Sequence, residues 1–111
     1  MHFCFTGQYT PQALNSMMDN PTVSRFEAFK KLVEAGGGKL VAMYGMPAEG
    51  PGALAIFEVS DPTAAASIVG VVMASGAIQN PKLTRLLTQE ELVHVRQKAG
   101  QLRSVYKPPG K

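Results

Sequence analysis

The chain has 111 residues, 45% of them hydrophobic and 17% charged, with 11 lysines and arginines against 8 acids for a net charge of +3. A single domain of this length can bury about two thirds of its unfolded surface, which excludes a disordered chain and makes a staple unnecessary. One cysteine, Cys4, excludes an intrachain disulfide and suits a reducing compartment. The low charge fraction also points to apolar surface covered by a partner.

Residues 2–6 (His-Phe-Cys-Phe-Thr) read as a first strand closed by Gly7. Thr10-Pro11 pairs an N-cap with a first-turn proline and starts a short helix to about residue 18, which Asn20-Pro21 interrupts. Ser24-x-x-Glu27 is a capping box, and Phe26, Phe29, Leu32 and Val33 succeed it at helical spacing. Gly36-Gly37-Gly38 comes after a helix rather than opening one, so it is a C-cap and not a phosphate loop. Residues 39–46 form a second strand and 53–59 a third, joined by the turn-rich segment 46–52. Asp61-Pro62 opens a helix over about 63–75 that is nearly all Ala, Val, Ile and Met, so it must be covered on more than one side. The Asn80-Pro81 break precedes a fourth strand at 82–87. Thr88-x-x-Glu91 is a second capping box, and its helix runs to about residue 102 with Leu92, Val95, Ala99 and Leu102 in one stripe.

The order β-α-β-β-α-β plus a terminal helix predicts an α+β, ferredoxin-like domain over residues 1–102. It has a four-stranded antiparallel sheet with helices on one face. Residues 103–111 are a basic Pro/Gly tail. The other sheet face needs a cover, and sheet-to-sheet pairing into a dimeric α+β barrel supplies one. The chain is therefore expected to be a homo-oligomer, dimer or higher. No signal peptide and no apolar run long enough to span a membrane is found, and cytoplasmic residence is expected. Residues 92–111 carry five basic residues and no acid. Only Tyr106 interleaves them, so a solvated helix face is read there, with no nucleic-acid partner.

Several segments resemble the GYD-domain family. Gly7-Gln8-Tyr9-Thr10 is similar to its opening "G-K-Y-T" element. Arg25-Phe26-Glu27-Ala28-Phe29-Lys30-Lys31-Leu32, running into Gly37-Gly38-Lys39-Leu40, also matches its pattern. So do Tyr44, Asp61 with its alanine run, Thr84-Arg85 and Thr88-Gln89-Glu90-Glu91. The resemblance covers about residues 5–92 and implies a dimeric α+β barrel of largely uncharacterised function. One departure stands out: the Gly-Tyr-Asp element appears here as Gly50-Pro51-Gly52, without its hydroxyl and carboxylate.

The search for chemistry leaves few residues. His2 and Cys4 lie on one side of a strand, and with Met43 or Met73 they would make a soft metal site. No further ligand stands at diagnostic spacing, so no metal and no cofactor is expected. His94 reads as a solvated histidine, Glu58 as a strand-end acid, and Asp61, Glu90 and Glu91 as helix-start acids. Arg85, between Leu83 and Leu87, needs an acid, a carbonyl or an anionic ligand, or is an edge-strand charge against aggregation. Tyr44, on a face with Leu40 and Ala42, is a ligand donor or a buried aromatic. Tyr9 closes the first strand and would line the same pocket mouth. Met17, Met18, Met43, Met46 and Met73 suit an adaptable apolar cavity or ordinary packing. The leading expectation is a small-molecule-binding protein with a pocket between sheet and helices. Arg85, Tyr44 and Tyr9 are its polar contacts, and the ligand is small and apolar or anionic. The alternatives are a cofactor-independent oxygenase or isomerase of small aromatic or lactone substrates, by fold analogy, and an assembly protein with no ligand.

Overall fold

The computed structural model describes residues 1–48 and 50–110. The elements are β1 (His2–Tyr9), α1 (Pro11–Asp19), α2 (Arg25–Ala35), β2 (Lys39–Met46), β3 (Gly52–Glu58), α3 (Pro62–Ala74), β4 (Ile78–Leu86) and α4 (Gln89–Leu102). The four strands form one antiparallel sheet in the order β2-β3-β1-β4, the ferredoxin-like topology.

Helix ends obey their capping chemistry. The side chains of Thr10, Ser24, Asp61 and Thr88 accept from the backbone N–H groups of Ala13, Glu27, Ala64 and Glu91. The capping box is complete at Thr88, whose backbone N–H donates back to Glu91 Oε1. The glycine triplet ends α2 in a Schellman turn. Gly38 N–H donates to Val33 C=O at 2.9 Å and Gly37 N–H to Glu34 C=O at 3.0 Å, with Gly37 at φ 82°.

The core lies between the sheet and α2 and α3. Alternation along β1 turns Phe3, Phe5 and Gly7 to the helices. Phe57 is fully buried, 6.0 Å from Phe3 and 5.9 Å from Phe29 between ring centroids. Val33 from α2 and Ala65 and Ile68 from α3 close the cluster. The opposite sheet face carries His2, Cys4, Thr6, Leu54, Ile56, Ala42, Tyr44, Thr84 and Leu86, none of them buried. α3 buries one face only, and Val71 remains 56% exposed. No α4 residue is buried, and the molecule measures 59 × 34 × 22 Å. No helix is long and apolar enough to cross a membrane among the described residues.

Two irregularities change the strand boundaries expected from sequence. β1 continues through Gly7 to Tyr9, because Gly7 lies against Ile78 where a Cβ would collide. β4 starts at Ile78, not at residue 82, because Asn80-Pro81 is a bulge and not a break. Thr6 pairs with Lys82 and Gln8 with Gln79, so Gly7 opposes two residues. Asn80 takes φ 53° there, and its Nδ2 donates to Gln8 Oε1 at 2.8 Å. A second bulge, at Val41, moves Tyr44 off the face of Leu40. Leu40 pairs with Phe57 toward the helices, whereas Ala42 and Tyr44 pair with Ile56 and Leu54 on the opposite side.

Candidate functional site: a cleft at the end of the first strand

Three elements converge where β1 ends. Thr10 ties them together: its N–H donates to Ala77 C=O at 3.0 Å and its hydroxyl to Gly76 C=O at 2.8 Å, while the same oxygen caps α1. Tyr9 N–H donates to Pro51 C=O at 2.8 Å, which anchors the Gly50-Pro51-Gly52 segment beside it. Between α1, the loop into α2 and the turn from α3 to β4 lies an open cleft of about 440 Å³. Tyr9, Gln12, Ser16, Asn20, Arg25 and Ser75 supply its polar lining, and Ala13, Met17 and Val23 its apolar lining.

Behind it is a crevice of about 30 Å³ between sheet and helices, lined by Phe5, Phe29, Met43, Ala55, Val72 and Ile78. Tyr9 and Arg25 line both spaces, so they stand at the junction of a polar mouth and an apolar interior. Arg25 is exposed and forms no ion pair with the described residues. With no carboxylate partner among the described residues, its five donors are available to an anionic group.

Of the three residues the sequence singled out, the structure brings only Tyr9 to the cleft. Tyr44 is 67% exposed on the opposite sheet face. Arg85 pairs across β1 with Phe3 at the sheet edge, and its Nη2 donates to Glu91 Oε2 at 2.8 Å. The partner that Arg85 required is thus an acid of its own chain. The bond from the Thr88 backbone N–H holds the Glu91 carboxyl below its ordinary value, and the Arg85 charge acts in the same direction.

The soft-metal combination is separated by the sheet. His2 and Cys4 face away from the helices, with His2 Nε2 3.5 Å from Glu58 Oε2. Met43 and Met73 pack on the helix-side core. Among the described residues no three of His, Cys, Asp and Glu gather as a metal site.

Sequence reasoning passed over Arg25 because it lies inside a capping-box segment. The signal was its sign: a cation at the first position of a helix opposes the macrodipole, which favours acids there. Residues that break a local preference concentrate at functional sites.

Nothing among curated proteins matches the chain. Among solved structures, the chain is similar to 5-chloro-2-hydroxyhydroquinone dehydrochlorinase (TftG) of Burkholderia phenoliruptrix, in complex with 2,5-dihydroxybenzoquinone. The identity is 16% and the TM-score 0.56, over 82% of this chain and 98% of that one. It is also similar to protein Atu4242 of Agrobacterium tumefaciens, with 13% identity and a TM-score of 0.45 over 79% of this chain and 94% of that one. The first likeness supports the α+β fold. The model of the GYD domain matches residues 3–95, most of the sheet and its helices, and the chain therefore belongs to the GYD-domain family.

Proposed function

We propose that the protein binds a small anionic molecule with a flat apolar body, in the cleft at Tyr9 and Arg25, and works as a homo-oligomer. One observation carries the binding reading: a guanidinium without an ion-pair partner among the described residues and a phenol stand together at the mouth of an apolar crevice. The volume, about 440 Å³, lies within the range of small-molecule sites. Arg25 would hold the anionic end, Tyr9 would donate through its hydroxyl, and the apolar body would rest on Val23, Met17 and Ala13. Among the described residues neither histidine nor carboxylate lines the cleft, which favours the binding reading over acid–base catalysis. Tyr44 and Arg85 fall outside this contact set.

Assembly is supported by the second sheet face, where Cys4, Leu54, Ile56 and Leu86 are only half-buried within one chain. A second copy laid on that face covers them. Tyr44 then belongs to the interface.

The test is calorimetric titration with benzoate and with 2,5-dihydroxybenzoquinone, an acidic ring of suitable size. Binding to the native protein and a loss of about tenfold or more in Arg25→Gln, at unchanged melting temperature, is the expected result. Equal affinity in Arg25→Gln, or no binding of either probe at millimolar concentration, would overturn the reading. Native mass spectrometry of the same sample reports subunit number.

A further inference from the structure

We propose that α4 is an arm whose apolar stripe packs on a second copy of this chain and not on its own sheet. The inference rests on the assembly reading above and adds the element that holds the copies together.

The stripe is Leu92, Val95, Ala99 and Leu102, at spacings of three and four. That is the seam of a helix that fits against a protein groove. In the single chain Leu92 is half-buried at the base of the stripe, while Val95 is 50% and Leu102 53% exposed. The remaining helix surface carries Arg96 and Lys98 beside Gln97, Gln101 and the 45%-exposed Val93, with Arg103 at the C-cap.

The arm is also held away from its own body. Only Leu87 and Thr88 separate β4 from α4. The joint is braced twice, by the complete capping box at Thr88 and by the Arg85–Glu91 ion pair at 2.8 Å. Only the ion pair spans the joint, and folding α4 back over its own sheet would break it.

The surface area supports a partner of substantial size. A compact chain of 11.9 kDa exposes roughly 6,000 Å². This one exposes 7714 Å². The excess of roughly 1,700 Å², to which α4 and the exposed residues 103–110 both contribute, exceeds the ~800 Å² that each partner contributes to a standard interface. The radius of gyration agrees, at 17.9 Å against roughly 13 Å for a compact domain of this length.

A second copy is the occupant that fits best. α4 leaves the sheet at Leu86, which lies on the same half-buried face proposed for assembly, so the arm departs from the edge of that face. In a two-fold pair each copy offers both an arm and a face, and both are covered at once. A bilayer is the competing occupant, since a basic amphipathic helix also suits anionic lipid. The narrow stripe, with alanine at its centre, favours a protein groove.

The experiment uses the full chain. Sedimentation equilibrium compares the native protein with Val95→Glu/Leu102→Glu, both exposed positions. The expected result is a native dimer whose dissociation constant rises about tenfold or more in the double variant, with its melting transition retained at high concentration. As a second readout, Val95→Cys in a Cys4→Ser background is labelled with a benzophenone maleimide and illuminated. A link between two chains supports the proposal, and a link confined to one chain overturns it. A native monomer overturns both this proposal and the assembly reading. A native dimer with an unchanged dissociation constant in the double variant overturns this proposal alone. So does binding of phosphatidylserine vesicles that the double variant loses without any change in dimerisation.

Discussion

Gly52 packs directly against the backbone of β1 at Gly7 and Gln8, one residue from Tyr9. A methyl group added at Gly52 would intrude on the Gly7 carbonyl oxygen and lie 3.3 Å from the Gly7 carbonyl carbon and 3.4 Å from Gln8 Cα. All three atoms are backbone of a central strand, so no side chain can rotate away. The backbones must move apart to relieve the overlap, at an overpacking cost of about 1–3 kcal/mol. Unfolding entropy for a domain of this length makes 1 kcal/mol worth about 4 °C, so Gly52→Ala should melt about 4–13 °C lower. Gly70 is the control, since it lies within α3 with nothing within 4 Å of an added Cβ. Gly70→Ala should gain about 0.5–1 kcal/mol from helix propensity, or about 2–4 °C. Thermal unfolding tracked by circular dichroism in the far-ultraviolet helix band measures both. A Gly52→Ala protein that melts with the native one would refute the close-approach argument. Because Tyr9 hangs from Pro51 on the same segment, that variant should also bind benzoate more weakly.

Phe57→Ala removes the centre of the aromatic cluster and should destabilise by about 3–5 kcal/mol, read by urea titration with the slope unchanged. Asn80→Ala should lose about 1–2 kcal/mol, since Asn80 tolerates φ 53° and donates to Gln8; Asn80→Gly should lose less, and equal losses would refute the backbone argument. Glu91 carries a folded-state carboxyl held below its ordinary value near 4.5. Its contribution is therefore complete above that value and disappears as pH falls through the lower folded value. Amide exchange in the first turn of α4 should accelerate in that acidic window, and Glu91→Gln should abolish the dependence.

The helices were legible because their signals are local. Thr10-Pro11, Ser24, Asp61-Pro62 and Thr88-x-x-Glu91 each satisfy backbone groups within three residues of themselves, and all four cap their helices. The order of elements then pointed to the sheet topology, since a βαββαβ chain has few ways to cover one sheet face. Strand ends and faces were less legible. The bulges at Val41 and at Asn80-Pro81 depend on which strand lies alongside, and each reverses the facing of the residues after it.

The site divides along the same line. Tyr9 was visible as a polar aromatic at a strand end, and the need of Arg85 for a partner was visible from its apolar neighbours. That the partner is Glu91, six residues on, depended on the angle at which α4 leaves β4. Arg25 is distant in sequence from Tyr9 and from Ser75, and only the packing of α1, α2 and α3 on the sheet brings the three to one cleft. By itself the sequence determined the elements, their order and the family pattern, because caps, periodicity and glycine stops act over a few residues. The tertiary structure decided which polar groups share a cleft, which metal-ligating side chains are kept apart and which apolar stripe is left bare. Those are properties of surfaces formed by residues far apart in the chain, and no local preference encodes them.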